Sequence, residues 1–200
     1  MHPRKSCKIF CGRQGCGKGS QSKRLAERYG LPRLEMGDHF RHLKNTSRDP
    51  HVLRKLARLK SGALVDDRFA IWQAKLWLMR HRGYRGVVLD GVIRTLPQLD
   101  ALLPFIGDRG FDLSAIWLDT PVEECVRRIL ANPRPGRDDD NPDALAERFK
   151  AYDAMTAPLK QAMIDRGVEV HVISDVGLSI EEVWGRVQGA FLSERVIQMV

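Results

Sequence analysis

The 200-residue sequence lacks any apolar run close to the ~20 residues that a helix needs to cross a bilayer. The basic residues 1–8 are not followed by an apolar stretch, so no secretory signal is visible. We therefore expect a cytoplasmic protein with no membrane contact. Repeats and low-complexity tracts are also missing, and a hydrophobic content of 43% favours one folded unit.

Cysteine is scarce, with four residues at Cys7, Cys11, Cys16 and Cys125. No two of them have the C-x2-C spacing of a zinc site, and no histidine cluster lies near them in the sequence. The spacing also argues against a disulfide framework, so we interpret all four as reduced thiols. We expect no structural zinc.

Acidic residues are outnumbered, because 33 Lys and Arg face 25 Asp and Glu and give a net charge of +8. This excess predicts an anionic partner, such as nucleic acid, an acidic membrane or a phosphorylated metabolite, or else a solvated basic surface. The sequence lacks the interleaved aromatic and basic residues of single-strand binders and a basic amphipathic anchor. These two absences count against nucleic acid and membrane, and they leave a phosphorylated metabolite or a solvated basic surface.

Apolar strand-like runs alternate with helical patterns along the chain. This alternation predicts an α/β fold in which helices cover both faces of a five-stranded parallel sheet. Ligands in such sheets bind beyond the carboxyl ends of the strands. The predicted strands cover residues 8–11, 32–36, 86–90, 113–118 and 168–173.

Local signals also predict where three helices begin or break. Thr120 and Pro121 have the pattern of an N-cap followed by a first-turn proline. Ser179 and Glu182 have the spacing of a capping box at the start of the last helix. Pro158 should bend or split the long helix that precedes it.

The glycine-rich segment 12–20 follows the first predicted strand and opens a helix predicted over residues 18–29. Gly12, Gly15 and Gly17 would let backbone N–H groups close around phosphate oxygens at a helix N-terminus that attracts anions. Lys18 adds a positive charge for the outer phosphates. Another strand ends at Asp90, whose carboxylate can organise a magnesium ion through its waters. Together these features predict a nucleotide-binding phosphate loop.

The string Gly-Lys-Gly-Ser-Gln at residues 17–21 resembles the adenylate kinase family, whose loop reads close to Gly-x-Pro-Gly-x-Gly-Lys-Gly-Thr-Gln. Gln14 stands in the place of the family's proline, and Ser20 keeps the hydroxyl of its threonine. Segment 36–41 is similar to Thr-Gly-Asp-x-x-Arg, segment 62–65 to Gly-x-Leu-Val, and segment 90–98 to Asp-Gly-Phe-Pro-Arg-Thr-x-x-Gln. The resemblance runs in order from residue 8 to about residue 173.

The resemblance implies a P-loop three-layer α/β/α fold with two small additions to its core. The core would comprise residues 1–35, 68–127 and 142–200, the lobe that binds the nucleoside monophosphate (NMP) residues 36–67, and a short lid residues 128–141. The implied ATP-binding residues are Gly12, Gly15, Cys16, Gly17, Lys18, Gly19, Ser20, Gln21 and Arg128. The implied NMP-binding residues are Met36, Gly37, Arg41, Ala63, Leu64, Val65, Gly91, Arg94 and Gln98. The implied catalytic residues are Lys18, Arg94, Arg137 and Arg148, with Mg²⁺ bound to ATP and reached from Asp90 through water.

The resemblance also implies reversible transfer of the ATP γ-phosphate to AMP, which gives two ADP. Met36, Val92 and Ile93 depart from the family pattern near the acceptor base, so a UMP/CMP kinase is the near alternative. A catalytically silent ATP-binding regulatory module is the alternative from another class. Arg41 and Arg94 argue against it, because a plain ATP binder needs no second phosphate site. No extra apolar segment calls for a partner, so we expect a monomer.

Two points remain open in the sequence. Cys16 is predicted to lie at a helix N-terminus beside Lys18, where the pKa of a thiol tends to fall. It is either a reactive thiol that ATP would shield or a small residue in the place of alanine. Asn132 stands where the family has a further lid arginine, and Arg134 is a candidate replacement.

Overall fold

A computed structural model describes residues 5–57, 64–132 and 142–196 of the chain. Within these residues the strands are β1 (Lys5–Gly12), β2 (Arg33–Glu35), β3 (Gly86–Asp90), β4 (Phe111–Asp119) and β5 (Glu169–Ser174). They form one all-parallel sheet in the order β2-β3-β1-β4-β5, so the first strand of the chain lies at the centre. The predicted five-stranded parallel sheet is confirmed.

Helices connect the strands and cover the sheet. They are α1 (Lys18–Tyr29), α2 (Met36–Thr46), α3 (Pro50–Leu56), α4 (Asp67–Arg80), α5 (Leu96–Gly107), α6 (Val122–Ala131), α7 (Pro142–Ala151), α8 (Leu159–Asp165) and α9 (Ile180–Val196), with a π-helical turn at Tyr152–Thr156. Across the described part of the chain, no helix is both long enough and apolar enough to cross a membrane.

The central strand β1 is buried on both faces, as its apolar composition predicts. Cys7, Ile9 and Cys11 contribute to the hydrophobic core on one face of the sheet. Phe10 contributes to the core on the other face, together with Trp184 of α9. The alternation follows from the two-residue period of a strand, and it anchors the segment that leads into the glycine-rich loop.

Two of the three predicted helix boundaries are confirmed. At the start of α9, the Ser179 N–H donates to Glu182 Oε2 at 2.8 Å, and the Glu182 N–H donates to Ser179 Oγ at 3.3 Å. This is the reciprocal capping box that the spacing predicts. Before Pro158, helix α7 widens into the π-helical turn, and α8 begins only at Leu159.

Two local predictions are wrong. Helix α6 begins at Val122 with Pro121 at its N-cap, and no side chain caps it. The Thr120 hydroxyl is instead buried without a hydrogen-bond partner. The predicted strand 32–36 is also too long, because β2 ends at Glu35 and Met36 already begins α2.

The carboxyl ends of β1, β2 and β3 meet at one edge of the sheet. In the observed register, Asp90 of β3 pairs with Phe10 of β1 on one side and with Glu35 of β2 on the other. The glycine-rich loop leaves β1 just beyond this point. The sheet therefore places Glu35 and Asp90 beside the loop.

Candidate active site

A cavity of about 1080 Å³ opens beyond this edge of the sheet. Ordinary ligand pockets have about 300–1,000 Å³, so the cavity has the volume of a large ligand site. The predicted site residues that line it are Gly15, Cys16, Gly17, Lys18, Gly19, Ser20, Gln21, Met36, Gly37, Arg41, Leu64, Val65, Asp90, Gly91, Arg94, Gln98, Arg128 and Arg148. Gly12 lines a smaller adjoining pocket. Ala63, Arg134 and Arg137 lie outside the described residues.

The loop requires glycine at Gly12 and Gly15 for steric reasons. A Cβ atom on Gly12 would lie 2.6 Å from the Leu118 carbonyl oxygen, and one on Gly15 would lie 2.6 Å from the Cys125 carbonyl oxygen. Both glycines also have positive φ, at 138° and 86°. The backbones of β4 and α6 therefore shape the loop before any ligand arrives.

Lys18, the first residue of α1, folds back over this loop. Its Nζ donates to the carbonyl oxygen of Arg13 at 3.0 Å. Gly17 precedes it in the left-handed region with φ of 86°, which turns the chain into the helix. Positive charge therefore lies at the helix N-terminus, where the helix dipole also favours an anion.

Asp90 is held in place by two donors, and it is only 3% exposed. The Ser22 hydroxyl and Arg33 Nη2 each approach Asp90 Oδ2 at 2.7 Å. Arg33 also donates to Glu35 Oε2 at 2.7 Å, and its Nε donates to the Ser22 hydroxyl at 2.9 Å. The carboxylate predicted to face magnesium is thus part of a buried ion-pair network that joins α1, β2 and β3.

Arg41, which is predicted to bind the acceptor phosphate, is paired with carboxylates in this structure. It contacts Asp38 directly and lies 3.6 Å from Glu35 Oε1. Burial and a hydrogen bond with Asp38 raise the pKa of Glu35. Gly37 leaves room for the guanidinium, because a Cβ there would lie 3.2 Å from Arg41 Nη2.

Arg94 lies against Gly91, which has φ of 60°. The Arg94 Nε donates to the Gly91 carbonyl oxygen at 2.9 Å, and a Cβ on Gly91 would lie 2.8 Å from Arg94 Nη2. On the backbone side, the Thr156 hydroxyl donates to the Arg94 carbonyl oxygen at 3.0 Å. Gly91, which is predicted to bind the NMP, therefore leaves room for the Arg94 side chain.

Gln98 is a buried residue of the cavity wall, and its amide has a fixed orientation. Its Oε1 accepts the Arg94 N–H at 2.7 Å, and its Nε2 donates to Asp67 Oδ1 at 2.8 Å. Because an N–H only donates and a carboxylate only accepts, the reverse orientation would break both bonds. Thr95 strengthens the arrangement by donating to Asp67 Oδ1 at 3.0 Å.

Two further predicted cations, Arg128 and Arg148, come from α6 and α7. Arg128 of α6 contacts Asp175, and its Nε donates to Glu124 Oε1 at 2.7 Å. The two arginines at the end of α6 lower the pKa of Glu124 to about 2, mainly through side-chain hydrogen bonds. Arg148 of α7 lines the same cavity.

Cys16 is only 1% exposed, and burial raises the pKa of its thiol despite the nearby Lys18. Of the two interpretations left open by the sequence, burial favours the small residue in the place of alanine over the reactive thiol. The thiol packs so closely that a Cβ on Gly12 would lie 2.7 Å from its sulfur. Cys16 is thus a small packing residue under the loop. All four cysteines are free and buried.

Within the described ranges, no group of three or more His, Cys, Asp or Glu side chains could hold a metal ion alone. Asp90, Asp38 and Glu35 nevertheless line the cavity that Lys18 faces. Magnesium keeps several waters and is usually bound by one or two carboxylates and substrate phosphates. These residues fit an ion that arrives with a nucleotide.

The sequence motifs did not identify Ser22, Arg33 or Asp67. Each acts through a partner that is distant in the sequence, namely Asp90 for the first two and Gln98 for the third. A weak signal existed for Arg33, because a charged residue in a short strand beside a buried carboxylate needs a counter-charge.

The phosphate loop follows the central strand, and Arg41 and Arg94 line the same cavity from two other segments. Positively charged side chains from three segments of the chain therefore line one cavity. The fold and site define a P-loop phosphotransferase.

The comparison with known proteins agrees with this class. The family described as adenylate kinase matches residues 10–167. An adenylate kinase from Parabacteroides distasonis is 33% identical over 186 residues, which cover 91% of this chain and 95% of that protein. Adenylate kinases from Methylobacterium radiotolerans and Bifidobacterium longum are 35% and 33% identical and cover 80% and 90% of this chain, and 83% and 96% of their own lengths. The chain belongs to the adenylate kinase family.

Proposed function

We propose that this protein transfers the γ-phosphate of ATP to AMP and releases two ADP. The observation that carries the proposal is the pair of cationic subsites in one cavity. Lys18 and the loop form one of them, and Arg41 and Arg94 form the other. The names of the relatives supply the identity of the two substrates.

In this reaction, an oxygen of the AMP phosphate forms a bond to the γ-phosphorus of ATP. The bond from that phosphorus to the β,γ-bridging oxygen breaks, and the electron pair leaves with ADP. The acceptor is already an ionised phosphate, so the protein needs no general base. Its task is to align two polyanions and to neutralise charge that moves during transfer.

The residues divide this task by position. Lys18 and the loop N–H groups hold the donor phosphates, while Arg41 and Arg94 hold the acceptor phosphate. Binding of AMP requires Arg41 to exchange Asp38 for the incoming phosphate. Arg148 of α7 would neutralise charge on the transferring group, and the family resemblance implies the same task for Arg137.

Asp90 and its neighbouring carboxylates would face the waters of the magnesium ion that accompanies ATP. When bound, the ion supplies positive charge to the β- and γ-phosphate oxygens. Arg33 and Ser22 keep the Asp90 carboxylate in one orientation, so that it is ready for this role.

We further propose that residues 36–67 form the NMP-binding lobe and that residues 128–141 form a short lid over the core. Closing the lid over both substrates would exclude water and suppress hydrolysis of ATP. We place the reaction in the cytoplasm, which suits four free, buried thiols, and we propose that the protein acts as a monomer.

The test compares AMP, UMP, CMP, GMP and dTMP as acceptors at fixed concentrations of ATP and Mg²⁺. A coupled assay measures the ADP that each acceptor produces. We expect AMP to be preferred. Preference for UMP or CMP would identify the pyrimidine alternative. No turnover with any acceptor would contradict the proposal and favour a silent ATP-binding module.

Arg94→Ala tests the acceptor subsite. We expect turnover to fall by at least ~100-fold, the scale for removing one charged donor to the transition state. Arg166→Ala is the matched control, because Arg166 pairs with Asp100 on the surface. Near-native turnover of Arg94→Ala would show that the acceptor subsite lies elsewhere.

A further inference from the structure

The side chain of Arg13 leaves the phosphate loop and reaches the π-helical turn Tyr152–Thr156. Its Nη2 lies 2.6 Å from Asp153 Oδ1, and its guanidinium carbon lies 4.5 Å from the centroid of the Tyr152 ring. Among the described residues, those that line the cavity do not include Arg13. Arg13 therefore connects the loop to another element.

The backbone of Arg13 supports the loop from within. Its carbonyl oxygen accepts Lys18 Nζ at 3.0 Å and the Cys16 N–H at 3.3 Å. Arg13 therefore links two contacts: its backbone carbonyl contacts the ammonium group of Lys18, and its side chain contacts the turn.

The other end of the same turn reaches the acceptor side. The buried Thr156 hydroxyl donates to the Arg94 carbonyl oxygen at 3.0 Å. The turn is closed by the Ala157 N–H, which donates to the Tyr152 carbonyl oxygen at 2.8 Å. A π-helical turn inside an α-helix is often found at functional sites, because it re-aims side chains that a regular helix would direct elsewhere.

We propose that Arg13 is a positioning residue for phosphoryl transfer. Through the contacts of Arg13 and Thr156, the turn Tyr152–Thr156 holds Lys18 and Arg94 at a fixed separation, and we call this linkage the brace. The inference rests on the proposed function, because it assigns the two braced cations to donor and acceptor phosphates. In-line transfer depends on the separation of these groups, and an error of about 1 Å can cost ~100-fold in rate.

The two contacts of Arg13 differ in strength. Asp153 is 56% exposed, so solvent and salt screen the ion pair. The contact with the Tyr152 ring is less sensitive to screening, since Tyr152 is half-buried. A substitution that keeps the positive charge should therefore retain part of the brace.

The experiment compares Arg13→Ala and Arg13→Lys with a matched control, Arg24→Ala. Arg24 makes the same kinds of contact at another place: both Nη atoms bond to Glu181 at 2.7 Å, and the guanidinium carbon lies 4.7 Å from the Trp184 ring centroid. We expect Arg13→Ala to lower kcat by about 10-fold with KM for ATP and AMP changed less than about 3-fold. Arg13→Lys should recover part of the loss, and Arg24→Ala should keep kcat.

A double-mutant cycle tests whether the turn is shared. Thr156→Val removes the hydroxyl bond to Arg94 at nearly constant volume. If Arg13 and Thr156 act through one brace, the loss of kcat in the double variant will be smaller than the product of the two single losses. A readout without turnover is amide hydrogen exchange of Cys16, which should be faster in Arg13→Ala and unchanged in Arg24→Ala.

The outcomes separate this inference from the proposed function. A wild-type protein that turns over no acceptor contradicts the proposed function, and the exchange rate of the Cys16 amide then still tests the brace. An active wild type with equal kcat in Arg13→Ala and Arg24→Ala overturns the inference. The inference is also overturned if the exchange rate of the Cys16 amide is unchanged in Arg13→Ala. A double-mutant cycle in which the loss of kcat equals the product of the two single losses overturns it as well.

Discussion

Gly91→Ala tests how strictly the site fixes Arg94. Gly91 has φ of 60°, a left-handed conformation that costs a residue with a side chain about 1–2 kcal/mol. The new Cβ would lie 2.8 Å from Arg94 Nη2, and since ordinary contacts begin at 3.4 Å, the guanidinium must recede by roughly 0.6 Å. The substitution therefore combines backbone strain with a displaced Arg94 guanidinium.

Gly30→Ala is the control that measures the backbone strain without displacing Arg94. Gly30 ends helix α1 with φ of 61°, and no atom lies within 4 Å of the position that its Cβ would take. The backbone penalty should match that of Gly91→Ala, while no functional side chain is moved. In a chain of this length, 1 kcal/mol corresponds to about 2–4 °C in Tm, so both variants should lose about 2–8 °C.

Activity should distinguish the two variants. In a coupled assay at 25 °C, well below both Tm values, we expect kcat/KM for AMP to fall by about 10- to 100-fold in Gly91→Ala only. Thermal melts followed by circular dichroism verify that the two variants are equally folded. Equal activities would refute the reasoning, because the displacement of Arg94 would then have no consequence.

Two further predictions concern stability. Arg33→Gln should lower the free energy of unfolding by about 3 kcal/mol in urea titrations, because it leaves the buried Asp90 without its cation. The control Arg127→Gln removes an exposed ion pair and should barely change the free energy of unfolding. Equal effects of the two substitutions would contradict a buried network. Burial raises the pKa of Cys11 and Cys125 to about 12 from about 9 in the unfolded chain. Above pH 9 the unfolded state therefore loses thiol protons that the folded state keeps, so the free energy of unfolding should fall as pH rises to 10.5. A flat profile, or rapid labelling of native thiols at pH 8, would contradict this.

The sheet and the phosphate loop could be predicted because their signals are local. The loop carries its glycines and Lys18 within nine residues, and β3 is an apolar run that ends in Asp90. The two errors at element ends also have local causes. Met36 follows Leu34 at the two-residue spacing of a strand but is buried in the core from a helix, and Thr120 precedes a proline that takes over the N-cap position.

The side-chain network of the site could not be predicted, because it depends on register and packing. Arg33 and Asp90 are 57 positions apart, and they meet only because β2 lies beside β3. Asp67 reaches Gln98 across 31 positions through the packing of α4 against α5. The anchoring of Arg13 depends on a π-helical turn, for which the sequence shows only the later Pro158.

The central place of β1 in the sheet has a consequence for the order of events during synthesis. This strand is translated before both of its neighbours, which are residues 86–90 and 111–118. Gly12 and Gly15 also rest on the backbones of β4 and α6. The nascent chain must therefore carry β1 with one edge unpaired until residue 118 has been translated, and nucleotide cannot select the native loop before residue 125, which supports Gly15, has followed.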